Sequence, residues 1–284
     1  MADIRLLSPA DAPALQAFLT AHVAQTMLLR GNLLRTGIVD GTQPYQGRYA
    51  AAFEQDRIVG VAAFYWNGNL ILHAPRHVAA VARAAAGDRR VNGILGPWQQ
   101  SLDAQDALDL GSHHLKLRSR EILMSLTLDG LQQPEPLPTQ KLSWRVATSD
   151  DIDLLCGWRD SMMQETLGGT PSQAASRESR GDVERWIAEG NQFLLLDDGR
   201  PVSGCSFNAR LPDAVQLGNV WTPPEWRSRR YARAVVARAL EHARKAGAVT
   251  AVLFTDRENA AAQTAYVALG FTVVGDYAIL LFAD

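Results

Sequence analysis

Only two cysteines, Cys156 and Cys205, occur in the 284 residues. Neither has a histidine at zinc-ligand spacing, and two are too few for a disulfide framework. A structural metal and an extracellular stapled fold are therefore both unexpected. Charge of one sign is also missing: 28 Lys and Arg stand against 30 Asp and Glu, for a net charge of −2. That balance argues against nucleic acid or membrane as a general partner. No apolar run approaches 18 residues, and the opening MADIRLLSPADAP has no basic-then-apolar leader. Neither spanning nor export is expected, and a reducing cytoplasm is the expected location. What is present is an ordinary globular mixture, 47% hydrophobic and 20% charged. The length suits two domains of about 140 residues each. Any strongly cationic site must be local.

The sequence breaks most clearly at LDGLQQPEPLPTQKLSW (Leu128–Trp144), where three prolines alternate with polar residues. Such a stretch favours an extended linker. The residues after this break resemble the start of the chain. Arg5, Ser8, Asp11 and Leu15 correspond to Arg145, Thr148, Asp151 and Leu155 at one constant offset. Ala51–Phe64 and Phe193–Phe207 both read strand, acidic turn, Arg, then strand with an internal Gly, the pattern of a hairpin. Matching order in both halves points to an internal duplication. The expected division is a first domain over 1–131, a linker over 132–141 and a second domain over 142–284.

The second half reads as strands at Leu142–Ala147, Gln192–Asp197, Pro201–Asn208, Ala214–Thr222, Val249–Thr255 and Thr272–Phe282. Helices are expected at Asp151–Glu165, Ala174–Glu189, Arg229–Ala246 and Asn259–Leu269. Ala232, Val235, Val236, Ala239, Leu240 and Ala243 recur at helical spacing, which gives the third helix an apolar face. Strand, helix, strand in that order predicts a parallel crossover, with the helix start facing the crevice at a strand's C-terminal end.

That helix start is unusual. In VWTPPEWRSRRYARAVVARALEHARKAGA, Arg227, Arg229, Arg230 and Arg233 crowd an end that is already electropositive. Such crowding costs free energy unless an anion sits there, and outward amides with guanidinium groups suit a diphosphate. The arginines alone are equally a solvated basic helix start. Downstream, FTDRENAAAQTAYVALGF places Asn259 as a helix cap and Tyr266 two turns along nearly the same face.

Together, VWTPPEWRSRRYA and NAAAQTAYVALGF resemble the two signature blocks of the GNAT superfamily of acyl-CoA-dependent N-acyltransferases. The second block, Asn-x-x-Ala-x-x-x-Tyr-x-x-x-Gly-Phe, is matched completely by Asn259, Ala262, Tyr266, Gly270 and Phe271. The first, Gln/Arg-x-x-Gly-x-Gly/Ala, is matched at Arg227 and Ala232, with Arg230 where Gly is usual. The resemblance covers Leu142–Asp284. It implies an α/β fold of two GNAT-like domains, each a mixed, mostly antiparallel sheet flanked by helices. It further implies acetyl-CoA as co-substrate and no metal. Backbone groups of Val220, Trp221 and Thr222 would take the pantetheine. Arg227, Ser228, Arg229, Arg230, Tyr231, Ala232 and Arg233 would form the pyrophosphate loop, with Asn259 and Ala262 on the following helix. Tyr266 would protonate the leaving thiolate, whose thiol has an ordinary pKa of about 8.5.

Glu165 lies where the family's substrate loop begins and is the candidate base, with a solvated helix-end carboxylate as the other reading. Asn219 is a candidate substrate contact or a satisfied buried amide. The acceptor would be a small-molecule amine or a peptide or protein amine, and its specificity would lie in the loop Glu165–Ser179. In the first half, Asn69–Leu108 lacks both blocks, as in a degenerate GNAT-like domain without its cofactor site. Trp98 reads as a packing anchor and Cys205 as a small buried hydrophobe. The neighbours His113 and His114 would point to opposite sides of a strand, which argues against a metal site. The alternative to an enzyme is a non-catalytic acyl-CoA sensor.

Overall fold

The computed structural model describes residues 2–134, 141–167 and 173–283. Residues 135–140 of the expected linker and 168–172 of the expected acceptor loop lie outside these. The chain forms two compact units. One comprises the residues through Met124 with Phe254–Asn259 and those from Val273 onward; the other comprises Ser125–Leu253 with Ala260–Thr272.

In the first unit the order is β1 (Asp3–Leu6), α1 (Ala12–Ala21), α2 (Val23–Thr36), β2 (Gly47–Glu54), β3 (Arg57–Tyr65), β4 (Asn69–His73), α3 (Val78–Ala86), β5 (Gly93–Pro97), α4 (Trp98–Ala107) and β6 (Leu115–Thr127). Strands β1 to β4 pair antiparallel in sequence order, and β4 pairs parallel with β5. The runs YAAAF and VAAFY are apolar at every position because both sheet faces are covered. Tyr49, Ala51, Val61, Ala63 and Tyr65 pack on one face with Leu15, Leu19 and Leu29 of α1 and α2. Ala50, Ala52 and Ala62 pack on the other with Val81, Ala82 and Ala85 of α3. A period of two sorts the residues between these cores.

The second unit repeats the order: β7 (Leu142–Val146), α5 (Ile152–Leu167), α6 (Gln173–Ala188), β8 (Gln192–Asp197), β9 (Arg200–Arg210), β10 (Ala214–Trp221), α7 (Tyr231–Lys245), β11 (Thr250–Asp256) and α8 (Ala260–Val267). Strands β7 to β10 are antiparallel, and β10 runs parallel to β11, as the crossover through α7 requires. Val235, Val236, Ala239 and Leu240 of α7 are wholly buried, so truncating Leu240 to Ala would cost about 2–5 kcal/mol.

One local device occurs in both units. Arg5 clasps the Asp11 carboxylate at 2.7 and 3.0 Å, and the Ser8 amide donates to the same group at 2.8 Å. Arg145 clasps Asp151 at 2.6 and 2.8 Å, and the Thr148 amide donates at 2.8 Å. In each case the guanidinium holds the carboxyl below the usual carboxylate range. Leu15 and Leu155 come next, both buried.

The end of the chain is arranged differently from the sequence reading. Strand β12 (Thr272–Phe282), expected with the second half, pairs antiparallel with β5 from Tyr277↔Pro97 to Leu281↔Gly93. Its Ala278, Leu280 and Phe282 belong to the first unit's core. No helix among the described residues is long and apolar enough to cross a membrane.

Candidate functional site

Strand β10 is irregular where the site begins. Its register against β9 shifts between Gln216 and Leu217 and again between Gly218 and Trp221, and Asn219 takes φ +51°. The Asn219 side chain is fully engaged by protein. Its Oδ1 accepts from Arg159 Nη1 at 2.7 Å, and its Nδ2 donates to Ser206 Oγ at 2.7 Å and Asn208 Oδ1 at 2.9 Å. A residue held at positive φ by three side chains is fixed in a conformation costly for a non-glycine. Pairing with β11 runs from Ala214↔Thr250 to Gln216↔Val252. Strand β10 continues for five residues beyond it, through Val220 and Trp221. Ser203 Oγ donates to the Trp221 carbonyl at 3.0 Å and lies 2.9 Å from Thr222 Oγ1.

After Thr222 the chain turns through Pro223 and a single 3-10 turn, Pro224–Trp226. Arg227 is extended, and then Ser228 (φ +62°) and Arg230 (φ +63°) are both left-handed, with Arg229 between them. Two left-handed L-residues within three cost about 1–2 kcal/mol each. Strain of this kind gathers at ligand sites, and alternating handedness lines up successive N–H groups into an anion-binding concavity. Helix α7 starts at the next residue, and its first turn contains no acid. Arg233 Nε, in that turn, is buried and has no hydrogen-bond partner among the described residues. A buried guanidinium N–H beside an electropositive helix end fits an anion.

The other side chains of the loop are occupied in different ways. Arg227, Ser228, Arg229 and Arg230 are exposed. Arg227 Nε donates to the Thr222 carbonyl at 3.0 Å, its guanidinium lies 4.9 Å over the Trp221 ring, and its Nη2 reaches both Glu165 oxygens at 2.9 Å. Arg229 lies over Trp226 at 5.1 Å. Tyr231 is 1% exposed and its hydroxyl donates to Asp197, so only its backbone is available to a ligand. Ala232 is half-buried.

Tyr266 sits on α8, which Ala261, Ala262 and Ala265 keep slim. Its ring is 8% exposed and meets Phe271 edge-on at 5.9 Å. Burial, with the nearby Cys205 thiol, pushes the phenol well above its ordinary pKa, so it keeps its proton at neutral pH. Gly270 lies three residues past the end of α8. It has φ +99°, and a Cβ there would come within 2.8 Å of the Gly130 carbonyl. Gly270 thus seats the exit from α8 closely against the Gly130 backbone, and Phe271 packs on the Tyr266 ring. Asn259 precedes α8, its amide bonded to the Asp256 carbonyl at 3.0 Å.

The geometry also gathers residues with no motif to announce them. Trp158 and Arg159 from α5, Trp186 from α6, and Asn219 and Trp221 from β10 line one narrow cavity of about 20 Å³. Arg159 lies 4.9 Å over the Trp186 ring and bonds Asp182 at 3.2 Å. Trp221 Nε1 is buried with no partner among the described residues. The only sequence signal is the frequency of tryptophan in the second half, which does not reveal that these three converge.

The first unit has a counterpart of the arginine loop, and it is filled from within. His77 (φ +60°) immediately precedes α3, as Arg230 precedes α7. Both Arg76 and His77 bond the Glu54 carboxylate, the imidazole at 2.8 Å, which holds that carboxyl below its usual range.

Residues 159–271 match the model of the Acetyltransferase (GNAT) family. No curated protein matches the sequence. Among solved structures the chain is similar to a Drosophila protein, with TM-score 0.70 and 10% identity over 99% of each chain. It is similar to a GCN5-related N-acetyltransferase from Kribbella flavida, with TM-score 0.58 and 16% identity over 93% of this chain and 95% of that one. A tandem GNAT protein from the clavulanic acid biosynthesis pathway aligns over 100% of this chain and 98% of its own, with TM-score 0.50 and 13% identity. At such identities the likeness establishes the fold alone.

Proposed function

We propose that this chain, whose residues 159–271 match the Acetyltransferase (GNAT) family model, transfers an acetyl group from acetyl-CoA to a primary amine. The observation that carries the reading is the turn at Ser228–Arg230, left-handed at two non-glycine residues, with the orphaned Arg233 Nε behind it. Those features are hard to explain without an anion and simple to explain with a diphosphate.

Acetyl-CoA supplies its acetyl group as a thioester already activated toward amines. In this reading the backbone of Val220, Trp221 and Thr222, beyond the end of the β11 pairing, holds the pantetheine. The amides of Ser228–Arg233 hold the diphosphate, with Asn259 and Ala262 alongside. An amide of Val220 or Trp221 donates to the carbonyl oxygen as it gains charge. Tyr266 Oη gives its proton to the departing sulfur.

Glu165 takes the proton from the amine. The carboxylate is shared with Arg227, and the proposal has Arg227 exchange it for the diphosphate, which leaves Glu165 unpaired when it is needed. The acceptor is a small-molecule amine or a peptide or protein amine. Glu54 seated on Arg76 and His77 supports the reading that the first unit does not hold a cofactor of its own.

The test is release of free thiol from acetyl-CoA in the presence of an amine panel, with coenzyme A binding measured separately. Turnover with any amine supports the transferase. Tight coenzyme A binding with no turnover across the panel would make the chain an acyl-CoA sensor instead.

A further inference from the structure

Strand β10 carries one residue more than its neighbour at Asn219. Between the pairs Gly218↔Ser206 and Trp221↔Gly204, β10 advances three residues while β9 advances two. One residue is extra, which makes the irregularity a bulge. The left-handed position of such a bulge usually holds glycine; here Asn219 takes it, at φ +51°. At that φ the allowed basin of a non-glycine has ψ of about +30 to +60°, against about +135° in an antiparallel strand. The peptide joining Asn219 to Val220 is therefore turned through about a right angle from the ladder direction. The N–H of that peptide belongs to Val220.

The turned peptide is locked from two sides. On one side are Ser206 and Asn208 of β9, which accept from Asn219 Nδ2. A Cβ at Gly218 would lie 2.2 Å from Asn208 Nδ2, so the bare backbone at 218 is what lets the Asn208 side chain cross to its partner. On the other side is Arg159 of α5, which donates to Asn219 Oδ1 at 2.7 Å. Arg159 is itself anchored on α6, bonding Asp182 at 3.2 Å and lying 4.9 Å over the Trp186 ring. Its side chain is only 19% exposed. A regular strand would satisfy the β9 and β10 backbones without any left-handed residue. Strain that its surroundings over-determine in this way gathers where a backbone group must point in one direction.

We propose that Asn219 is a positioning residue: locked by Arg159, it aims the Val220 amide at the thioester carbonyl oxygen. The inference rests on the acetyltransferase reading and chooses between the two amides, Val220 and Trp221, that the reading allows. As the amine nitrogen bonds to the carbonyl carbon, the C=O electron pair moves onto the oxygen. It returns when the C–S bond breaks and the sulfur leaves with that bond's electrons. An N–H already directed at the oxygen strengthens as the charge develops and needs no reorganisation. An amide kept in the ladder would be committed to the neighbouring strand. Asn219 itself touches neither the substrate nor the reacting atoms.

Steady-state kinetics of the full chain test it, with acetyl-CoA and whichever amine of the panel the wild type acetylates fastest. N219A loses the clamp and disfavours positive φ, whereas N219G loses the clamp but reaches that φ freely. The expected result for N219A is a kcat lower by about 10²-fold or more, the effect of one lost oxyanion donor. Its KM for acetyl-CoA should stay within about twofold, because the bond forms only in the transition state. N219G should recover about tenfold or more of the lost kcat, and R159M should lower kcat by about tenfold at unchanged KM. Full kcat in N219A, equal losses in N219A and N219G, or a rise in KM that matches the fall in kcat would overturn the proposal. Should N219A fail to fold, R159M decides: full kcat there overturns the lock. Wild-type protein that acetylates no amine would instead bring down the transferase reading, and this role with it.

Discussion

Arg227 and Glu165 hold one another through a single guanidinium nitrogen placed 2.9 Å from both carboxylate oxygens. The two residues are 62 positions apart, and both side chains are more than 40% exposed. An ion pair so exposed contributes about 0–1 kcal/mol, which makes it a contact that a stronger anion can displace.

Replacing Glu165 by Gln separates the two roles of that carboxylate. The expected outcome is a fall in kcat with an unchanged or lower KM for acetyl-CoA, because the competing anion is gone. Steady-state kinetics with acetyl-CoA varied checks it. An unchanged kcat would leave Glu165 as a partner of Arg227 and no more.

Tyr266→Phe keeps the ring against Phe271 and removes only the acid. Turnover should fall by about 10²–10⁴-fold, while the dissociation constant for acetyl-CoA stays nearly the same. Thiol release and calorimetry report the two quantities. Full activity in this variant would remove Tyr266 from the mechanism.

Arg230→Gly relieves a left-handed backbone at φ +63°. The domain should gain stability of about 1 kcal/mol, read as a shift in the denaturant midpoint. If the loop amides are what hold the diphosphate, coenzyme A binding should survive the change. Its loss would transfer the grip to the Arg230 side chain.

His73 links the first unit to pH. Both of its ring nitrogens are buried without a partner among the described residues, and the His22 ring lies 4.6 Å away. Burial, with a smaller effect from His22, lowers its pKa from 6.5 to about 4. Between those values the unfolded chain takes up a proton that the folded chain refuses. Stability from this group is therefore complete above pH 6.5 and is lost as pH falls toward 4, by about 3 kcal/mol in all. Denaturation midpoints at about pH 7 and about pH 5 should differ in the wild type and differ less in His73→Phe.

The parts of this molecule governed by near neighbours could be read in advance. Gln192–Asp197 and Thr272–Phe282 form strands with the expected bounds, and α7 starts and ends within two residues of its expected limits. The Arg5–Asp11 and Arg145–Asp151 clasps arise from a six-residue spacing repeated in both halves. Choices between distant partners could not be read. Nothing in the composition of β12 says that its partner is β5, because an apolar strand pairs as well with one edge as with another. The left-handed Ser228 and Arg230 were hidden because the usual glycine signal is absent there. Trp158, Trp186 and Trp221 share no periodicity, and only the fold makes them neighbours.

The placement of β12 also constrains how the protein is made. Domains usually fold in the order in which they leave the ribosome. Here the half that emerges first cannot complete its sheet until Thr272–Phe282 has been translated, because those residues cover the open edge of β5. Throughout synthesis of the second half, the nascent first half carries an unpaired apolar edge, the kind of surface that chaperones bind and that leads to aggregation. Expressing the two halves as separate polypeptides would make that transient exposure permanent.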